Sequence, residues 1–133
     1  MGLFDSLFGR KGGGQFRTDD AHAQNRARQL TMTPMTVAQL RKYGVTDQTQ
    51  LKLDYFFYTN TEEKAAALVQ KLGELGYTGS HELAAGKKKQ FVVTGGTTSM
   101  SMDDQTVLDW TCQMCDLGRE HDCEFDGWGT EAP

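Results

Sequence analysis

The chain has no long apolar run, no excess of basic charge and few cysteines, and each shortage excludes a class of protein. No segment approaches the roughly 18 consecutive apolar residues of a membrane-spanning helix, and no basic start followed by an apolar stretch predicts a secretion signal. The formal net charge is −4, whereas a general nucleic-acid binder presents a basic surface to phosphates. We therefore expect a cytoplasmic protein with no membrane span, and direct nucleic-acid binding is not favoured.

The sequence also lacks the patterns of common catalytic centres. The histidines His22, His81 and His121 are scattered along the chain. No serine stands in a nucleophile elbow, and no pair of carboxylates has a spacing typical of acid–base catalysis. Three cysteines, an odd number, do not suit a fully paired disulfide framework, so reduced thiols are expected. We predict that the chain is not an enzyme and holds no cofactor or metal.

One group of side chains leaves a metal site as an alternative. Cys112 and Cys115, followed by His121 and Cys123, offer four ligands of the kind that zinc accepts. However, the first two cysteines fall inside a predicted helix instead of a turn, and buried thiols pack well as small apolar groups. We favour packed thiols over the metal site.

Length and composition predict one folded domain with an N-terminal addition. A chain of 133 residues, 38% of them apolar, is long enough for a single core. Residues 1–15 are assigned to an amphipathic segment and a glycine-rich linker, residues 16–46 to a helical extension, and residues 47–131 to the main domain. The apolar stripe of the first segment consists of Leu3, Phe4, Leu7 and Phe8. It is expected to dock on a partner, on its own domain or weakly on a membrane surface.

The main domain alternates strand and helix patterns in the order β-α-β-β-α-β. Period-2 alternation marks the strands, and apolar stripes at helical spacing mark the helices. The predicted strands are Leu51–Tyr58, Tyr77–Leu83, Lys89–Val93 and His121–Phe125. This order predicts a ferredoxin-like α+β sandwich, in which a four-stranded antiparallel sheet carries two helices on one face.

Capping and turn residues predict where these elements begin and end. Asn60 is the expected N-cap of the first helix of the main domain, and Ser101 or Asp103 that of the second. Gly95-Gly96 suggests a bulge in the third strand. In the N-terminal extension, Thr33-Pro34 predicts the start of a separate short helix.

Two segments of the main domain resemble the RraB family of ribonuclease E inhibitors. One is Glu124–Thr130, which contains Asp-Gly-Trp-Gly-Thr, and the other is Leu53–Tyr58 followed by an alanine-rich helix. The similarity runs from about Leu51 to Thr130. It implies a ferredoxin-like fold and a bacterial regulator that binds a protein partner. By resemblance, that partner is a ribonuclease E-like endonuclease and the process regulated is RNA decay.

The candidate partner-binding residues are Asp126, Gly127, Trp128, Gly129 and Thr130. Glycines on both sides of Trp128 let the backbone turn sharply and hold the indole at the end of the sheet. In one interpretation Trp128 is an exposed anchor for the partner, with Asp126 and Thr130 on its polar rim. In the other, Trp128 folds back and closes the core. The sequence leaves both open, and it does not predict the oligomeric state.

A binding module for RNA or a small ligand is the alternative function. Tyr55, Phe57 or Phe91 would then form a stacking platform on the sheet face. Lysines at the hairpin tip would contribute positive charge, although charge at such a place more commonly serves solubility and edge protection. These lysines are Lys87, Lys88 and Lys89. The acidic composition ranks this alternative below a protein-binding function.

Overall fold

The computed structural model describes residues 14–86 and 89–131. Over these residues the chain is an α+β protein with three helices, a four-stranded antiparallel sheet and a second sheet of two short strands. The helices are α1 (Asp19–Arg41), α2 (Glu62–Glu74) and α3 (Asp104–Glu120). The strands are β1 (Gln50–Leu51), β2 (Asp54–Thr59), β3 (Thr78–Leu83), β4 (Phe91–Gly96), β5 (Met100–Ser101) and β6 (Glu124–Gly129).

The larger sheet has the strand order β3-β4-β2-β6, and every neighbouring pair is antiparallel. Along the chain, its strands and the two later helices follow the order β-α-β-β-α-β, which confirms the predicted α+β element order. The predicted first strand is divided, because β1 pairs with β5 in the small sheet. Leu53 separates the two pieces: its N–H donates to Thr97 Oγ1 and its carbonyl accepts the N–H of Thr97, both at 2.9 Å.

Alternate residues of the central strand β2 point to opposite faces of the larger sheet. Tyr55 and Phe57 are fully buried, and they share one core with buried residues of α2 and α3. Phe56, on the other side, is 39% exposed. We call the side of Tyr55 and Phe57 the covered face, and the side of Asp54, Phe56 and Tyr58 the open face.

The helices on the covered face begin at capping residues close to those predicted. Thr61 caps α2, since its Oγ1 accepts the N–H of Lys64 at 3.3 Å. The predicted cap, Asn60, is wrong by one residue, because its side chain contacts the Lys64 ammonium instead, at 2.9 Å. Asp103, one of the two predicted caps, begins α3 by accepting the N–H of Thr106 at 2.9 Å.

Helix α1 runs without a break from Asp19 to Arg41, so the predicted helix start at Thr33-Pro34 is wrong. Thr18 is the N-cap, and its Oγ1 accepts the N–H of Ala21 at 3.1 Å. Pro34 lies inside the helix on its exposed side, where water can solvate the carbonyl that proline leaves without a donor. Thr33 is buried and forms tertiary hydrogen bonds rather than a cap.

The buried side of α1 begins polar and ends apolar. Its buried residues recur every three or four positions and are His22, Asn25, Gln29, Thr33, Val37 and Leu40. Asn25 Nδ2 donates to the Phe125 carbonyl at 2.8 Å, and Gln29 Nε2 donates to the same oxygen at 3.3 Å. Since β6 is an edge strand, its outward backbone groups need partners from outside the sheet. The polar half of α1 supplies them, so this helix is a layer of the fold and not a surface appendage.

The last strand and the bulge lie elsewhere than predicted. β6 runs from Glu124 to Gly129 instead of His121–Phe125, because the chain turns at Asp122, whose φ is +53°. The bulge is on β6 as well, where the register against β2 shifts between Phe56 and Phe57. β4 keeps a regular register with both neighbours through Gly96, which corrects the predicted bulge there.

Gly95 is needed for close packing and not for a bulge. A Cβ atom at this position would lie 2.0 Å from the Thr78 carbonyl oxygen and 2.4 Å from Tyr55 Oη. The Tyr55 ring therefore crosses β4 at a point where only glycine leaves room, and its hydroxyl donates to Thr78 O.

Candidate partner-binding site

The motif residues Asp126–Thr130 lie at the end of β6, beside α1 and the open face. Gly127 pairs with Phe56 and Gly129 pairs with Asp54, so both glycines belong to the open face. Neither carries a side chain, and a strip of bare backbone therefore runs next to Phe56. Gly127 also has a φ of +128°, a conformation that other residues rarely adopt. The two glycines of the motif thus clear space on the open face.

Trp128 points to the covered face, opposite Tyr55 in the register. Its ring meets Trp110 of α3 edge-on, with the ring centroids 6.2 Å apart. Its Nε1–H donates to Thr33 Oγ1 at 3.0 Å, and Thr33 in turn contacts Thr111 Oγ1 at 2.8 Å. Trp128 therefore joins β6 to α1 and α3. It is half-buried, which places it between the two interpretations of a free anchor and a core residue.

A cleft of about 170 Å³ opens between α1 and the open face at the bulge. Its lining includes Met32, Thr36, Phe56, Asp126, Gly127 and Trp128. Met32 is 46% exposed and Phe56 is 39% exposed, although both are large apolar side chains. Exposed apolar groups that line one cleft are a feature of protein contacts.

Asp126 is the extra residue of the bulge, and it lies at the exposed rim of this cleft. Partial burial of its carboxyl group and the nearby charge of Glu124 raise its pKa above the ordinary value of 3.8, while Arg28 opposes that shift. The Arg28 guanidinium donates to Asn25 Oδ1. Within residues 14–86 and 89–131, no group hydrogen bonds to the Asp126 carboxylate or forms an ion pair with it. Asp126 therefore presents a carboxylate that has no direct hydrogen-bond or ion-pair partner among the described residues, although the positive charge of Arg28 acts on it.

Thr130, the last residue of the motif, hydrogen bonds to the chain just before β2. Its Oγ1 donates to the Lys52 carbonyl oxygen at 2.8 Å. The five predicted site residues thus lie together but differ in what they contact. Asp126 and Gly127 line the cleft, Gly129 extends the open backbone strip, and Trp128 and Thr130 hold the strand in place.

A larger cavity, of about 930 Å³, lies at the other end of β6 around Asp122. The Asp122 carboxylate accepts hydrogen bonds from Lys64 Nζ at 2.8 Å, from His22 Nε2 at 3.1 Å, and from the backbone N–H groups of Phe16 and Arg17. Burial acts to raise the pKa of Asp122, but these hydrogen bonds outweigh it and hold the pKa below the ordinary value of 3.8. Asp122 is therefore a structural anchor between α1, α2 and the N-terminal residues.

The three cysteines occupy different elements. Cys112 and Cys115 lie in α3, and Cys123 lies in the turn before β6. Burial raises the pKa of the Cys115 and Cys123 thiols to about 12, so both are protonated at neutral pH. The part of the chain that the structure describes contains no group of three or more His, Cys, Asp or Glu side chains that could hold a metal ion.

The predicted aromatic platform is wrong, because all three of its residues lie on the covered face. Tyr55 and Phe57 are fully buried on the covered face, and Phe91 is half-buried against the core. Burial raises the pKa of the Tyr55 hydroxyl to about 12. The aromatic residues of the open face are instead Phe56 and Tyr58. The alternation in the sequence separates the two faces but does not tell which of them the helices cover.

Two sequence predictions concern residues outside the described ranges. They are the apolar stripe of Leu3, Phe4, Leu7 and Phe8 and the lysines Lys87 and Lys88. Lys89, the third lysine of the hairpin, lines the larger cavity near Asp122. As for the described helices, none is both long enough and apolar enough to cross a membrane.

The contribution of α1 to the site is what sequence reasoning missed. Met32, Thr33 and Thr36 come from this helix. Its first half is mostly polar and therefore shows no apolar stripe in the sequence. A signal was nevertheless present. The buried polar positions repeat at the same helical spacing as the apolar positions Val37 and Leu40 that follow them.

Comparison with known proteins identifies the family. No curated protein sequence matches the chain significantly. The family model described as regulator of ribonuclease activity B matches residues 31–130. The matched region contains the second half of α1, both sheets, α2, α3 and the motif residues Asp126–Thr130. Because this match covers most of the chain, the protein belongs to the RraB family of regulators of ribonuclease activity.

Proposed function

We propose that the chain is a non-catalytic regulator that binds a ribonuclease E-type endonuclease and changes how that enzyme cleaves RNA. Membership of a family of ribonuclease regulators supports the process and the partner class. The observation that supports direct contact with the endonuclease is the cleft at the β6 bulge. There, exposed apolar side chains, an open backbone strip and a carboxylate without an ion-pair partner among the described residues lie next to one another.

The arrangement of the domain supports this assignment. The proposed fold is a ferredoxin-like sandwich to which α1 adds a further layer, and the strand order β3-β4-β2-β6 with the element order β-α-β-β-α-β supports it. We retain residues 1–15, 16–46 and 47–131 as the proposed segments, with 16–46 contributing one wall of the site. The cytoplasm, where a regulator of RNA decay meets its enzyme, is the proposed location.

A reconstituted cleavage assay tests the proposal. A ribonuclease E-type endonuclease is incubated with labelled RNA and increasing amounts of the purified chain, and binding of the two proteins is measured in parallel by calorimetry. We expect the cleavage rate or the choice of cleavage sites to change as the complex forms, and the chain alone to leave the RNA intact. An unchanged cleavage pattern without complex formation would contradict the proposal.

Two exposed aromatic residues provide a matched pair of variants for locating the contact. Phe56 lines the cleft, whereas Tyr43, which is 71% exposed, follows the end of α1. We expect Phe56→Ala to weaken binding of the endonuclease by about tenfold, since aromatic anchors carry a large share of interface energy. Tyr43→Ala should leave it unchanged. Equal losses in both variants would place the contact away from the cleft.

A further inference from the structure

Acidic side chains surround the aromatic residues of the open face. Asp54 precedes Phe56 on the same side of β2, and Glu124 on β6 pairs with Tyr58. Glu82 lies on the same face of β3, two strands away from Tyr58 across β4. Arg17 forms an ion pair with Glu124, at 3.2 Å between its guanidinium and the carboxylate. The open face therefore combines aromatic surface with several carboxylates, of which Glu124 is already paired with Arg17.

The shape of the cleft fits one long side chain rather than a folded element. Its volume of about 170 Å³ is comparable with that of a single large side chain. The Phe56 ring has glycine as its neighbour on β6, so its flank toward α1 is not covered by a β6 side chain. Met32 contributes an apolar surface on the helix side. In the described chain, no other aromatic ring or cation stacks on Phe56.

The charge at the rim of the cleft determines which sign of charge an occupant can carry. Asp126 lacks an ion-pair partner among the described groups. Burial and the like charge of Glu124 raise its pKa, and the positive charge of Arg28 opposes this shift without cancelling it. An anionic group, such as a phosphate, would be repelled here, whereas a cation would relieve the repulsion. A guanidinium group suits both features of the cleft, because it stacks on an aromatic face and donates to a carboxylate in the same plane.

We propose that this cleft receives a basic side chain of the protein partner, an arginine in preference to a lysine, with the guanidinium on the Phe56 ring and against the Asp126 carboxylate. This inference rests on the proposed function, and it adds the chemistry of the segment that is recognised. That segment carries basic residues with apolar neighbours, since Met32 and Phe56 offer apolar surface around the charge. The partner is therefore recognised through a basic amphipathic stretch.

The test uses a short synthetic peptide of alternating arginine and leucine residues as the probe. The chain contains two tryptophans, so its indole N–H groups give two resolvable NMR signals. The Trp128 Nε1–H donates to Thr33 within the wall of the cleft and reports on its occupation. We expect this signal to move on titration with the peptide, and a peptide with glutamine in place of arginine to bind about tenfold more weakly. A lysine peptide should fall between the two.

Charge variants of the full chain sharpen the test. Asp126→Asn should weaken binding of the arginine peptide by about three- to tenfold. Asp47→Asn, the same change at another exposed aspartate, should leave binding within about twofold. Asp126→Lys should reject the arginine peptide and bind a peptide of alternating glutamate and leucine. Thermal unfolding of each variant verifies that the fold is kept.

The outcomes separate this inference from the proposed function. If the chain regulates the endonuclease but Asp126→Asn and Asp47→Asn bind the arginine peptide equally well, the basic-residue inference is wrong and the proposed function stands. If the peptide binds as expected but the endonuclease is neither bound nor affected, the proposed partner is wrong and the cleft remains a site for basic segments. An RNA oligonucleotide that moves the Trp128 signal while the peptide does not would overturn the inference.

Discussion

The two faces of β2 are made of similar residues and differ in what they meet. Tyr55 and Phe57 point into the core, whereas Phe56 and Tyr58 point to the open face. Both pairs are one tyrosine and one phenylalanine, so residue type does not separate the faces. The difference comes from the neighbouring strands. On the covered face, Phe57 lies between Val93 and Phe125, which complete a core under α2 and α3.

On the open face, the neighbours of the same strand are small or polar. Phe56 lies between Thr94 on β4 and Gly127 on β6, and Asp54 lies between Gly96 and Gly129. Small neighbours leave an aromatic ring exposed to solvent. Exposed apolar surface lowers the solubility of a protein unless a binding partner covers it. One face of the sheet therefore supplies stability, and the other is the surface that we propose for recognition. The following changes test this division, in order of decreasing effect on stability.

Gly95→Ala tests how tightly the covered face is packed. The added Cβ would lie 2.0 Å from the Thr78 carbonyl oxygen, so β3 and β4 would have to separate. We expect loss of the folded state, measured by circular dichroism and by urea unfolding. Gly73→Ala is the control, because a Cβ at that exposed position of α2 meets nothing within 4 Å. It should raise the free energy of unfolding by about 0.5 to 1 kcal/mol.

Phe57→Ala and Phe56→Ala compare the two faces directly. Removing the fully buried Phe57 ring should lower the free energy of unfolding by about 3 to 5 kcal/mol. Removing the Phe56 ring should lower it by about 1 kcal/mol or less, since the ring is 39% exposed. Urea unfolding of both variants measures the difference. Similar losses in the two would mean that the open face is packed as well.

Several features of this division follow from the sequence. The apolar stripes of α2 and α3, one of the two caps predicted for α3 (Asp103) and the β-α-β-β-α-β order depend on local spacing, and the structure contains them. The identity of the covered face does not follow, because it depends on which side the helices pack. The role of α1 was also hidden, since its Asn25 and Gln29 matter only once an edge strand with unpaired carbonyl groups lies beside them.

Asp122→Asn tests the anchor at the start of β6. The folded state lowers the pKa of this carboxyl below 3.8. Ionised Asp122 therefore stabilises the fold above pH 3.8, and this stabilisation is lost as the pH falls through the lower, folded-state pKa. We expect the variant to lose about 2 to 3 kcal/mol at neutral pH. Its unfolding free energy should also fall less steeply below pH 4 than that of the unaltered chain. A parallel pH profile for both would contradict the role of Asp122.

Asn25→Ala tests how α1 protects the β6 edge. The change removes the 2.8 Å hydrogen bond to the Phe125 carbonyl and leaves only the longer one from Gln29. We expect a loss of about 1 to 2 kcal/mol in urea unfolding. Gln24→Ala, at an exposed position of the same helix, should change the stability by less than about 0.5 kcal/mol. Equal effects would mean that the polar stripe of α1 does not support the strand.

Asp126→Asn should have the smallest effect on stability, with a sign opposite to that of Asp122→Asn. The folded state raises the pKa of Asp126 above 3.8, so the ionised carboxylate is slightly unfavourable in the fold, and its cost grows as the pH rises through the folded-state pKa. At neutral pH the variant should therefore be as stable as the unaltered chain or more stable by up to about 0.5 kcal/mol. Chemical unfolding at pH 4 and pH 7 measures the difference between the two proteins.

A change that leaves stability intact or improves it while weakening the proposed contact is expected where a residue serves recognition rather than folding. Asp126 and Asp122 stand on either side of Glu124 and Phe125, yet only Asp122 has its carboxylate surrounded by donors. If Asp126→Asn instead destabilised the chain as Asp122→Asn does, the carboxylate at the cleft would have a structural partner in solution. The cleft would then have no free carboxylate to offer a basic side chain.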